Sequence, residues 1–246
     1  MTLALLKNVD KVRERETGFR LHVADFSVQR GEHVAITGPS GCGKSTMLEL
    51  LGMILRPDTA ETMTFAFDDV PVDAVRLWER CGSDTMALLR RQHMGYVLQT
   101  GELLPFLTVR ENIELTASLV NRPDAAAIAL RLMEALGIGH LPNALPASLS
   151  IGERQRAAIA RALASKPKLL LADEPTAALD PHLSRTVMRM FLETARSTGV
   201  AVVMVSHDMA LVQEFGFRNV PITISQNDNG ITATLDDTAT RVSKIS

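Results

Sequence analysis

Cysteine is scarce in this chain. Cys42 and Cys81 are the only two, too few and too far apart for a disulfide framework and without the paired spacing of a zinc site. That usage fits a reducing compartment. An excess of either charge is also missing: 26 Lys and Arg face 28 Asp and Glu, for a net charge of -2. No global positive field exists to hold a polyanion by counterion release, so nucleic acid is excluded as the main partner. Long apolar runs are absent as well. The longest, such as Val200 to Val205, reach six residues, whereas a spanning helix needs roughly 20. The opening "MTLALLKNVDKVRERE" holds four apolar residues in a row before its charges begin, which is no secretory leader. These absences predict a cytoplasmic chain that does not cross a bilayer itself. Internal repeats and low-complexity linkers are lacking too.

What is present is an ordinary globular composition, 46% hydrophobic and 22% charged over 246 residues, sufficient for one sizeable core. From Leu3 to Val28 short apolar stretches alternate with polar residues, which predicts edge strands around a charged loop, "RERETGF". "HVAIT" predicts a strand leading into a glycine-rich loop. Between Pro57 and Arg91, "MTFAF" predicts a strand, and "VDAVRLWERCGSDTMALLRR" mixes helical spacing with a Cys-Gly-Ser break. From Arg110 to Leu136 the residues favour helix, interrupted at Asn121-Arg-Pro-Asp. "KLLLA" and "VAVVMV" have the continuous apolarity of strands buried on both faces of a parallel sheet. "ITISQNDNGITATL" predicts a hairpin turning at Asn229-Gly230.

The loop "GPSGCGKST", Gly38 to Thr46, satisfies G-x-x-x-x-G-K-[ST] between a predicted strand and a predicted helix. Its residues are Gly38, Pro39, Ser40, Gly41, Cys42, Gly43, Lys44, Ser45 and Thr46. Glycines let the backbone wrap a phosphate chain, and successive N–H groups plus a positive helix start hold its charge. Lys44 is expected to reach the β- and γ-phosphates, Ser45 to ligate Mg²⁺ and Thr46 to donate to the α-phosphate. In "KLLLADEP" a buried-looking strand ends in two carboxylates that point to opposite sides. Asp173 is expected in the magnesium shell, and Glu174 is expected to orient or deprotonate water beside the γ-phosphate. His207 follows the "VAVVMV" strand, where it can sense the γ-phosphate, and Gln99 can bridge magnesium and water. A second anion site is predicted at "SLSIGERQR": Ser150 has the chemistry of an N-cap, Gly152 leaves an amide bare, and strong helix sequence follows.

Taken in order, these motifs resemble the nucleotide-binding subunits of ATP-binding cassette (ABC) transporters over nearly the whole chain. "GPSGCGKST" is similar to the Walker A loop, Gln99 to the Q-loop glutamine and "LSIGE" (Leu149 to Glu153) to the signature. "LLLADE" is similar to Walker B, "AALD" (Ala177 to Asp180) to the D-loop and His207 to the switch histidine. "RRQHMGYVLQTGELLPFLTVRENI" and "GERQRAAIARAL" most resemble the macrolide-exporter and lipoprotein-release type. The resemblance implies a single α/β domain with three parts: a P-loop NTPase (RecA-like) core with a mostly parallel sheet, an N-terminal antiparallel β part, and a helical signature subdomain. The core is expected at about residues 1–100 and 166–246, the helical part at about 101–165. It implies ATP and Mg²⁺ as ligands, with Ser45, Gln99 and Asp173 on the metal and Glu174, His207, Gln99 and Lys44 as the catalytic group. Ser150, Gly152 and Glu153 would face ATP held by a second subunit, identical or different, and Asp180 would lie in the D-loop.

The implied function is an ATPase motor on the cytoplasmic face of the inner membrane. It would couple dimerisation and hydrolysis to a separate membrane subunit, through the groove near Gln99 and the helical middle, for export or extraction. A soluble non-transport cassette ATPase and an ATP-sensing module are the alternatives. Two departures stand out. Ile151 replaces the usual glycine, which predicts slowed hydrolysis, and the aromatic that usually supports adenine is missing upstream of Walker A. In the equivalent stretch, "DKVRERETGF", Phe19 is the only aromatic, and Arg13 or Arg15 could stack by its guanidinium, which predicts weak adenine discrimination.

Overall fold

A computed structural model describes residues 1–14, 18–68, 70–227 and 230–238. The chain runs through strands β1 (Thr2–Glu14), β2 (Phe19–Gln29) and β3 (His33–Thr37), then helix α1 (Lys44–Leu51), β4 (Thr59–Phe65), β5 (Val72–Asp73), α2 (Ala74–His93) and β6 (Met94–Val97). Helices α3 (Val109–Leu119), α4 (Ala125–Ala135) and α5 (Ile151–Ala164) follow, then β7 (Leu169–Asp173), α6 (Pro181–Thr198), β8 (Ala201–Ser206), α7 (Met209–Glu214), β9 (Arg218–Asn227) and β10 (Gly230–Asp236). Two compact units result, residues 1–90 with 203–246, and residues 91–202. The fold is α/β, a mixed sheet with helices.

In the first unit the strand order is β5-β4-β1-β2-β10-β9-β3. β1 pairs antiparallel with both β2 and β4, so it is an interior strand rather than the expected edge. At 13 and 11 residues, β1 and β2 are also longer than their broken apolar pattern suggests. The reason is that one face is buried over much of their length: Leu6 and Val9 of β1 and Leu21 and Val23 of β2 are inaccessible, while positions such as Lys7, Asp10 and Arg20 carry charge. Arg13 and Glu14 extend β1 instead of forming a loop, and Arg15 lies outside the described residues. β10 lies parallel to β2, and β9 parallel to β3. β9 and β10 form the expected antiparallel hairpin, with Gly230 opposite Asn227 and Asn229 outside the described residues. Helix α1 buries Met47, Leu48, Leu50 and Leu51 in this unit's core. The Cys-Gly-Ser break in α2 is real: Gly82, at φ 67° and ψ -162°, interrupts it.

Arg218 ties this unit together from inside. Its Nε donates to Glu32 Oε1 at 2.7 Å, its Nη2 to the Ser27 carbonyl at 2.6 Å, and its Nη1 to the Asp237 carboxylate. Asp237 is fully buried and Arg218 7% exposed. Burial alone would lower the guanidinium's proton affinity, but Glu32 and Asp237 more than offset it, and its pKa is raised.

The second unit is built on β6 and β7, which run parallel with Met94 opposite Leu169 and Val97 opposite Ala172. Leu169 to Ala172 are all buried, as expected for a strand covered on both faces. Helices α3 and α4 stop and restart at the predicted interruption, where Asn121 has a φ of 57°. Helix α5 contacts α3, α4 and α6. Its buried Ala157, Ala158, Ala160 and Ala164 let those neighbours approach closely.

Candidate nucleotide site

The glycine loop leaves β3 and opens α1. Lys44, the first residue of α1, is 7% exposed and its Nζ donates to the Gly38 and Pro39 carbonyls at 3.0 and 2.9 Å. Its ammonium is therefore held inside the loop, where a phosphate chain would meet it. Gly43 is required twice over: its φ is 93°, and a Cβ there would stand 3.0 Å from the Phe19 ring. Phe19 thus packs on the loop's backbone. Ser45 is exposed and Thr46 buried. Cys42 is buried, and burial pushes its thiol up, so it behaves as a small apolar residue rather than a nucleophile. His207 follows β8 in the same unit and is exposed. The Ser206 hydroxyl accepts from the Asp208 amide at 3.0 Å, and Asp208 in turn caps α7. Arg13, one of the two arginines considered for the base, pairs with Glu49 of α1 and donates to Thr46 Oγ1 at 3.4 Å.

The remaining candidates belong to the second unit. Because β6 and β7 are parallel with Val97 opposite Ala172, Gln99 and Glu174 each follow two residues later, off the same ends of neighbouring strands. Ligands of parallel α/β sheets gather at such carboxyl ends. Glu174 has a φ of 43°, a left-handed conformation for a residue with a side chain. This strain costs on the order of 1–3 kcal/mol and persists where surrounding structure imposes it, often at functional positions. Asp173 closes β7 itself.

At the second helix start, Ser150 caps α5. Its hydroxyl accepts from the Glu153 amide at 3.3 Å, while Glu153 Oε2 accepts from the Ser150 amide at 2.8 Å. These reciprocal bonds make a capping box. The Ser150 hydroxyl and amide bonds hold the Glu153 carboxyl below its usual range. Gly152 is buried against α6, where a Cβ would stand 2.7 Å from Leu183 Cδ2. A side chain there would therefore make Leu183 shift. Ile151 beside it is 60% exposed. Asp180 caps α6, accepting from the His182 and Leu183 amides at 3.0 Å each.

One residue escaped the sequence reading. Gln155 is 4% exposed and its Nε2 donates to the Leu98 carbonyl at 3.4 Å, joining α5 to the segment that carries Gln99. Its spacing of three and four from Gly152 and Ile159 on one helix face was the available signal. The same unit holds a groove of about 410 Å³ lined by Arg91, Tyr96, Thr116, Leu119 and Arg161 among others. Burial lowers the proton affinity of Arg161. No helix among the described residues is long and apolar enough to cross a membrane.

The family model described as ABC transporter matches residues 21–177. The lipoprotein-releasing system ATP-binding protein LolD of Shewanella sp. (strain MR-4) is 40% identical over 189 residues, covering 76% of this chain and 78% of that protein. LolD 2 of Caulobacter vibrioides is 39% identical over 212 residues, covering 85% and 89%. Among solved structures, the dimeric ATP-binding cassette MJ0796 in a post-hydrolysis state with ADP and Pi superposes with a TM-score of 0.73. It is 32% identical, with 89% of this chain and 94% of that one covered. With a phosphate loop that holds its lysine inside, and with relatives matched over most of their length, the chain belongs to the ABC transporter family as an ATP-hydrolysing subunit.

Proposed function

We propose that this subunit is the motor of a lipoprotein-release-type transporter, working as a head-to-tail pair on the cytoplasmic face of the inner membrane. Each copy binds ATP on Gly38 to Thr46 and offers the start of α5 to the nucleotide of its mate. The observation that carries this reading is the surface position of that helix start. Ser150 is exposed, and the apolar Ile151 next to it is 60% exposed, at the positive end of a 14-residue helix. A second copy bringing a phosphate chain satisfies both features. LolD, the relative matched over most of its length, supplies the transporter type.

In this reading Lys44 holds the β- and γ-phosphates and Thr46 the α-phosphate. Glu174 orients and deprotonates the attacking water, and His207 contacts the γ-phosphate. Asp180 supports the seam between copies. Ser45, Gln99 and Asp173 offer a hydroxyl, an amide oxygen and a carboxylate, hard oxygen donors that suit Mg²⁺. The ion, when bound, neutralises phosphate charge. Phe19 is the candidate beside the base, since Arg13 is engaged by Glu49 and Thr46. The groove lined by Arg91 and Arg161 is the surface for the membrane subunit, which carries the cargo path and so sets the substrate.

The test is Glu174→Gln in the full chain. Phosphate release should fall by roughly 10²- to 10⁴-fold, the usual scale for a general base. ATP should still bind, and the protein should elute as a dimer in saturating ATP. Unchanged release, or a monomer under those conditions, refutes the proposal.

A further inference from the structure

Glu49 is the only acid on the helix that follows the phosphate loop, and α1 carries none in its first turn. It lies three residues after Thr46, on the same helix face, so its charge opposes any phosphate chain held at the helix start. Arg13 of β1 neutralises it. The Arg13 guanidinium pairs with the Glu49 carboxylate and also donates from Nε to Thr46 Oγ1 at 3.4 Å. Both side chains retain water contact, 40% exposed for Arg13 and 30% for Glu49. An exposed ion pair of this kind holds its members only weakly. A guanidinium on a phosphate, by contrast, forms short charge-assisted bonds of about twice ordinary strength.

We propose that Glu49 and the bound nucleotide compete for Arg13, which serves as a reserve cation for the phosphate chain. Glu49 holds Arg13 over Thr46 when the loop is empty. When nucleotide enters, the guanidinium exchanges its carboxylate partner for a phosphate oxygen beside Thr46. No bond is made or broken covalently. With Thr46 assigned to the α-phosphate as proposed above, the exchange acts on ATP and ADP alike and so sets nucleotide affinity rather than the hydrolytic step. The inference rests on the glycine loop being the nucleotide site.

Direct binding of ATP and of ADP to the full chain, by calorimetry at low and high salt, tests it. Arg13→Gln should weaken both nucleotides by about three- to fivefold at low salt, the factor an exposed ion pair commands. Glu49→Gln should tighten both by a similar factor, since it frees Arg13 and removes a repelling charge. Arg13→Lys should restore part of the loss. All these differences should shrink in 1 M salt, where the screening length falls to roughly 3 Å. If Glu49→Gln weakens binding as Arg13→Gln does, the pair is a structural strut and the proposal is overturned. It is overturned equally if neither change moves affinity. Lys44→Ala serves as the separate control: retained nucleotide affinity there refutes the loop assignment itself, independently of how Arg13 and Glu49 behave.

Discussion

Replacing Arg218 by methionine should destabilise the protein more than any single change to the carboxylates around it. Asp237 is fully buried and Glu32 Oε1 lies 2.7 Å from the Arg218 Nε. Methionine would remove the cation that both carboxylates share. Removing one member of a buried ion pair costs roughly 3–5 kcal/mol. In a chain of this length each kcal/mol lowers the midpoint by about 2–4 °C, so Tm should fall by about 6–20 °C. Asp237→Asn is milder, because the guanidinium keeps Glu32 and the Ser27 carbonyl. The loss of one charged hydrogen bond sets its cost at about 1.5–3 kcal/mol. The double variant Arg218→Met, Asp237→Leu should regain much of the Arg218→Met loss, since buried pairs replaced by apolar residues of similar volume are often neutral. Urea and thermal unfolding followed by circular dichroism measure all three. If Arg218→Met costs no more than Asp237→Asn, the shared cation is not what holds this cluster together.

Three further outcomes follow from other parts of the molecule. Gly152→Ala should change stability by less than about 1 kcal/mol, because its 2.7 Å contact is with the end of the flexible Leu183 side chain and alanine gains helix propensity over glycine; a loss above about 3 kcal/mol in chemical denaturation would refute a yielding contact. Burial raises the Asp10 pKa, but hydrogen bonds from Arg20, His22 and Thr59 reverse this and bring it down from 3.8 to about 2. The stabilisation is thus present above the unfolded value and lost as pH falls from about 4 through 2, so Asp10→Asn should flatten the acid limb of the stability curve; an unchanged limb contradicts it. With Phe19 the only aromatic in the stretch "DKVRERETGF", ATP should bind less than about a hundredfold more tightly than GTP, and a larger ratio in equilibrium binding contradicts the weak-discrimination reading.

Much of the secondary structure was legible because its signals are local. "HVAIT", the interruption at Asn121 to Asp124 and the Ser150 N-cap all appear where their residues predict, since strand apolarity, proline and capping chemistry act within a few positions. β1 was harder. Whether a strand is an edge depends on β4 arriving from some 50 residues away, and nothing within β1 encodes that pairing. Gly152 shows a subtler gap. Its place in a signature-like motif suggests a bare amide, and only the structure shows that it also lies against Leu183 of α6.

By itself the sequence determined the local pieces: a glycine loop opening a helix, a carboxylate pair at the end of a buried strand and a second capped helix start, each written in contiguous residues whose physics is short-ranged. Only the tertiary structure decided which of them meet. Parallel pairing of β6 with β7 sets Gln99 and Glu174 at neighbouring strand ends, Gln155 bonds to the segment before Gln99, and Arg13 crosses from β1 to Glu49 and Thr46. Those relations depend on register and on long side chains from distant segments. They exist only once burial of the core has fixed where each backbone lies.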